Sequence, residues 1–191
     1  MARPKSEEKR SRLLSVATEV FAKNGLSAST ASITNAAGMA EGTLFIYFKG
    51  KDDLINSLYQ EIKQDLGEAI LSGYPRKGSI HSRIEHIWNR YIEWGMESLD
   101  KVAALNKIKV WEGLRPDVRD AMTARFAEIH SLCGIAIKEG KFHKVPHDFL
   151  MAMLSAQAET TMQFMRQNPK EAVLYKDKGF EIFWNGITRK G

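Results

Sequence analysis

A single cysteine, Cys133, excludes an intramolecular disulfide and argues against a cysteine-based metal site. No run of about 18 apolar residues is present, so no membrane span is expected. The charged N-terminus lacks the apolar core of a signal peptide. Internal repeats and low-complexity stretches are absent too. No Ser-His-Asp set, phosphate loop or H-E-x-x-H motif can be found, which leaves an α-helical enzyme little support. His81 and Glu85 stand four apart, but two ligands without a third do not make a metal site. The expectation is a soluble, cytoplasmic, non-enzymatic chain with no cofactor and no metal.

What is there is a globular composition. Of 191 residues, 43% are hydrophobic, enough for one large domain or for a small and a medium one. The net charge of +5, with a pI near 9.3, suits a polyanionic partner.

The organising stretch is Ser29 to Phe48, S-T-A-S-I-T-N-A-A-G-M-A-E-G-T-L-F-I-Y-F. Ser29 is placed to cap a short helix, and Ile33 and Ala37 share its inner face. Gly38 sits where the chain must leave that helix with a positive φ. A second short helix follows from about Glu41 and buries Leu44 and Phe48. Two short helices at a steep angle about a glycine turn make a helix-turn-helix, whose second helix enters the DNA major groove.

The flanks fit that reading. Arg3 and Lys5 open a basic arm, Ser6 is a candidate N-cap, and a helix runs on to about Asn24, closed by Gly25. From residue 1 to 50, seven bases face four acids. After Phe48, Gly50 precedes a fourth helix whose first amides, with Lys51, suit a phosphate oxygen. That helix carries Leu54, Ile55, Leu58, Ile62, Leu66 and Ile70 at helical spacing.

The runs L-L-S-V-A-T-E-V-F-A-K-N-G, I-T-N-A-A-G-M and G-T-L-F-I-Y-F-K-G-K-D-D-L resemble the DNA-binding domain of the TetR family of bacterial transcriptional regulators. The likeness runs without a gap from about Ser11 to Leu54. It implies an all-α homodimer, with an N-terminal three-helix helix-turn-helix domain over 1–50 and a helical ligand-binding and dimerisation domain over 51–191. Three positions depart from the family pattern. Thr34 stands where a small alanine is usual. Ala40 replaces the serine that caps the recognition helix, and Phe45 replaces the first tyrosine of Y-x-Y-F. The last two remove a cap and a hydroxyl, each about 1 kcal/mol.

Chemistry assigns the expected DNA contacts. Arg3, Lys5, Thr30, Tyr47 and Lys51 suit the backbone, and Gly42 lets the chain approach the duplex closely. Thr43, Phe45 and Ile46 can offer methyl or ring contacts to thymine methyls, and Thr43 can also bond a base edge. Glu41 can accept from a cytosine amino group, although helix-dipole stabilisation is its commoner role.

From Gly78 onward the chain reads as helices with short breaks, including one long helix from about Asp117 to Glu139. Trp88, Tyr91, Trp111, Met122, Phe126 and Met153 are candidates to line an apolar ligand cavity, with His130 and Gln157 as its polar groups. Ordinary core packing would use the same residues. The last two helices carry the expected dimer face, Ala152, Ala156, Phe180, Phe183 and Trp184, suited to a four-helix bundle. The functional expectation is a ligand-responsive repressor that binds double-stranded operator DNA as a homodimer and is released by a small hydrophobic molecule. A constitutive architectural DNA binder is the main alternative.

Overall fold

The computed structural model describes residues 5–189, and side chains from residue 6. Those residues form ten α-helices, joined by short turns: α1 (Lys5–Asn24), α2 (Thr30–Ala36), α3 (Gly42–Tyr47), α4 (Lys51–Leu71), α5 (Ile80–Glu97), α6 (Leu99–Lys109), α7 (Pro116–Ala124), α8 (Ala127–Lys138), α9 (His147–Gln167) and α10 (Ala172–Ile187). The only pairing of extended backbone among them is an isolated bridge from Phe142 to Thr188. The helices gather into two compact units. The first holds residues up to Asp65 together with Ser98–Met122, and the second holds Leu66–Glu97 and Thr123 onward.

In the first unit α1 packs on α6 and α2, and α2 packs on α3. Leu13, Leu14, Ala17 and Phe21 of α1 are fully buried, as are Ile33 of α2, Leu44 of α3 and Leu54 of α4. The segment that returns after α5 is fastened by polar bonds as well. Lys107 Nζ donates to the Ala22 carbonyl at 2.6 Å, capping the last turn of α1 with a positive charge. Asn56, only 2% exposed, donates to the carbonyls of Asp52 and Gly113 and accepts from the Arg115 N–H at 2.9 Å. One amide therefore pins the α6–α7 turn to the first turn of α4.

The second unit is built on α9, which packs against α10, α5 and α8. Trp88 is fully buried at its centre. Its ring stacks on Phe183 at 5.9 Å and its Nε1 donates to the Lys176 carbonyl. Gly179 permits this packing: a Cβ there would lie 2.5 Å from Thr161 Oγ1 and 2.9 Å from the Trp88 ring. Leu66 and Ile70, at the end of α4, are buried here as their spacing predicts.

Three local expectations change. Ser6 is the second residue of α1 rather than its cap. The helix expected from Asp117 to Glu139 breaks at Arg125–Phe126, where the Phe126 N–H turns back to the Thr123 carbonyl. That break sets the Phe126 ring over Gly67, while the apolar spacing of 118, 122, 126 and 129 runs on as if uninterrupted. The last helix, expected from about Pro169, starts at Ala172, after a 3₁₀ turn over Pro169–Glu171.

Candidate nucleic-acid interface and apolar cavity

The turn between α2 and α3 forms as its residues require. Ser29 is extended and its hydroxyl accepts from the Ser32 N–H at 3.1 Å. Gly38 takes φ of 67°, and the Met39 N–H closes on the Thr34 carbonyl. Thr34, which the resemblance sets against a usual alanine, is fully buried, and its hydroxyl reaches the carbonyls of Thr30 and Ala31 at 3.2 Å. Its polar atom is satisfied within its own helix, so the exchange is tolerated. Ahead of α3, Glu41 makes no side-chain cap bond and Ala40 has none to offer.

The surface of α3 divides sharply. Leu44 is buried and Thr43 and Tyr47 are half-buried, while Gly42, Phe45 and Ile46 are open to water. Phe45 is 54% exposed and Ile46 75%. Glu41 is exposed beside them, and Thr30 is half-buried at the start of α2. Arg3 and the Lys5 side chain lie outside the described residues. Arg10 lies over the Phe48 ring at 5.3 Å, bringing a cation of α1 to the end of α3.

Lys51 stands at the start of α4 on an open concavity of about 570 Å³ that it shares with Lys49, Gly50, Asp52, Asp53, Asn56, Gly113 and Arg115. Asp53 accepts from the Lys49 N–H at 3.0 Å and so closes the turn leading into α4. Arg115 is the cation that the sequence reading missed. It lies 3.9 Å from Asp53 and 3.4 Å from Asp117. It comes to α4 from 64 positions along the chain, and no local pattern signals that approach.

The eight candidate ligand residues are divided between the two units. Trp111 and Met122 belong to the first unit. Trp88 and Phe126 are core of the second. Tyr91 is buried there too, its hydroxyl 3.3 Å from Glu159, and burial followed by that carboxylate pushes its pKa far up. The His130 ring lies against that of His147 at 3.9 Å. Met153 and Gln157 line an apolar cavity of about 210 Å³ in the second unit. Phe149, Leu150, Ile182, Phe183 and Ile187 supply its other apolar walls and His143 a polar rim. Gln157 Nε2 donates to the Gly179 carbonyl, which leaves Oε1 as the amide's acceptor.

The candidate dimer residues divide by depth. Ala152 and Ala156 are exposed on α9, whereas Phe180 and Phe183 are buried within the protomer and Trp184 is half-buried beside His81. The remaining open apolar residues of α9 and α10 are Phe149, Met153, Phe164, Val173, Leu174 and Ile182. His81 and Glu85 face one another at 3.8 Å, and no group of three metal-ligating side chains occurs among the described residues. No described helix is long and apolar enough to cross a membrane.

Comparison with known proteins concentrates on the same N-terminal segment. Residues 13–58 match the family model described as bacterial regulatory proteins, tetR family. A fatty acid metabolism regulator protein of Bacillus subtilis is 44% identical over 50 residues, which span 26% of this chain and 26% of that protein. Over the whole chain the likeness is one of fold. A TetR family transcription regulator from Marinobacter aquaeolei VT8 superposes with a TM-score of 0.88 at 18% identity, covering 99% of this chain and 100% of that one. The transcriptional regulator FadR from Bacillus subtilis, solved with stearoyl-CoA, gives 0.68 at 18% identity over 93% of this chain and 98% of its own.

Proposed function

We propose, from this chain's membership of the TetR family of bacterial regulatory proteins, that it is a repressor that binds operator DNA as a homodimer and leaves it when a small, largely apolar molecule binds. The observation that carries the reading is the open outer surface of α3 on a helix-turn-helix whose Gly38 turn and Ser29 cap are both in place. A short helix presented in this way fits the major groove, and the Lys51 start of α4 suits the adjacent phosphate. Dimerisation is supported by the open apolar residues of α9 and α10 around Ala152 and Ala156.

The ligand reading rests on the α9–α10 cavity, in which apolar walls meet the Gln157 acceptor and the His143 rim. At about 210 Å³ it suits a short apolar ligand, and a long acyl chain would require it to widen. Fatty acids and their thioesters are the first compounds to try, given the B. subtilis relatives. A ligand shifts the DNA equilibrium only if it binds one conformation better than the other. α4, which contributes Lys51–Asp65 to the first unit and Leu66–Leu71 to the second, is the element through which we propose the bias passes.

The experiment is a duplex-binding titration across salt, followed by a panel of apolar compounds of graded chain length. Selective binding at least about 10³-fold above random duplex, steep in salt and reversed by one compound class, is the expected result. Tight but unselective binding would favour the architectural alternative, and no release across the panel would remove the ligand from the reading.

A further inference from the structure

We infer that the operator is recognised through the 5-methyl groups of pyrimidines, with Ile46 and Phe45 as the specificity-determining residues. This rests on the DNA-binding reading above and adds the chemistry of the base readout. The side chains that α3 offers outward are a branched alkyl group and a ring, 75% and 54% exposed. Isoleucine at so open a helical position gives the free protein little: its helix propensity is modest and its apolar surface is left in water. Its use lies in what it meets on binding.

The readers absent from α3 narrow the choice. Guanine is read by the forked donors of arginine or by lysine, and adenine by the paired donor and acceptor of asparagine or glutamine. None of these residues occurs between Gly42 and Tyr47. Thr43, half-buried, has a hydroxyl that accepts and donates without strong preference, and Glu41 can select only a cytosine amino group. The apolar feature of the major-groove floor is the methyl group at pyrimidine C5, carried by thymine and by 5-methylcytosine. Lys49 and Lys51 follow α3 directly and Arg10 packs over Phe48, so cations flank the apolar tip and suit the phosphates on either side of a groove. The chemistry of α3 thus matches a methyl-bearing base edge between two charged backbones.

The test uses the full-length protein. Bound duplexes are selected from a random-core library, and the best is resynthesised with deoxyuridine at each thymine in turn. That exchange keeps the base pair and removes only the methyl. The expected result is one or two thymines per half-site at which the exchange weakens binding about three- to fivefold, the scale of one buried methyl, while the other thymines are silent. At those positions 5-methylcytosine should bind better than cytosine. Ile46→Ala, a surface change whose fold circular dichroism would check, should bind the thymine and uracil duplexes alike.

If every uracil duplex binds as the thymine duplex does while Ile46→Ala weakens all of them equally, the side chain packs on sugar and backbone. The inference then fails and the DNA-binding reading stands. If no duplex is enriched even at low salt, that reading fails first.

Discussion

Two of the open apolar surfaces among the described residues are built differently. The one on α3 consists of two neighbouring side chains, Phe45 and Ile46, followed within five positions by Lys49 and Lys51. The one on α9 and α10 draws on six large side chains from two long helices, with the small Ala152 and Ala156 on the same stretch of α9. Exposure of single residues is similar in the two, so exposure does not tell them apart. Extent and flanking charge do. A small apolar tip among cations suits a groove in a polyanion, whereas a broad apolar face with small residues suits close packing against another helix pair.

The strongest way to break this comparison uses adjacent residues of α10. Phe183 is 3% exposed against Trp88, and Ile182 is 65% exposed. Phe183→Ala should cost about 3–5 kcal/mol of stability, read by urea unfolding, because it opens a cavity beside a buried ring. Ile182→Glu combined with Ala156→Arg should leave helicity and melting nearly unchanged and yield a monomer by light scattering. Since two linked half-site contacts reinforce each other by 10²–10⁴, operator affinity should fall by about a hundredfold or more. A double variant that stays dimeric would assign this face to some other partner.

A smaller effect tests how the first unit holds its surface in place. Asn56→Leu fills the same buried space but leaves the Gly113 carbonyl and the Arg115 N–H without their partner. The expected loss is about 1–3 kcal/mol by denaturant titration. Operator affinity should weaken as well, because the α6–α7 turn is no longer fixed to the start of α4. If stability falls while affinity holds, the pinned turn is structural only.

These tests follow the line between what was legible in the sequence and what was not. Local chemistry could be read directly: the Ser29 cap, the Gly38 turn and the inward stripe of α4 depend on neighbours within one or two helical turns. Contacts between distant segments could not. Nothing near Asn56 announces Gly113, and nothing in the aromatic run of α5 tells a cavity wall from the core, because both use large apolar residues. Trp88 is fully buried, while Phe149 and Ile182, which were not among the lining candidates, edge a cavity. The broken helix at Phe126 escaped because a two-residue turn leaves the apolar spacing intact.

The smallest expected effect separates the two units by the sign of their response to alkali. In the first unit burial, helped by the charge of Lys109, lowers the Lys63 pKa from 10.5 to about 8. Between those values the unfolded chain binds a proton that the folded chain has released, so this group makes stability rise with pH. In the second unit burial pushes the Cys133 thiol from 9.0 up to about 11. There the unfolded chain loses its proton first, and stability falls as pH climbs through that window. Urea melts from pH 7.5 to 10 on three proteins resolve the two contributions. Lys63→Met should remove the rising one and leave stability falling above about pH 9, while Cys133→Ala should remove the falling one and leave a steeper rise than the wild type shows. If the two variants keep the wild-type slope, neither buried group sets the alkaline response, and the contrast between the units rests on their surfaces alone.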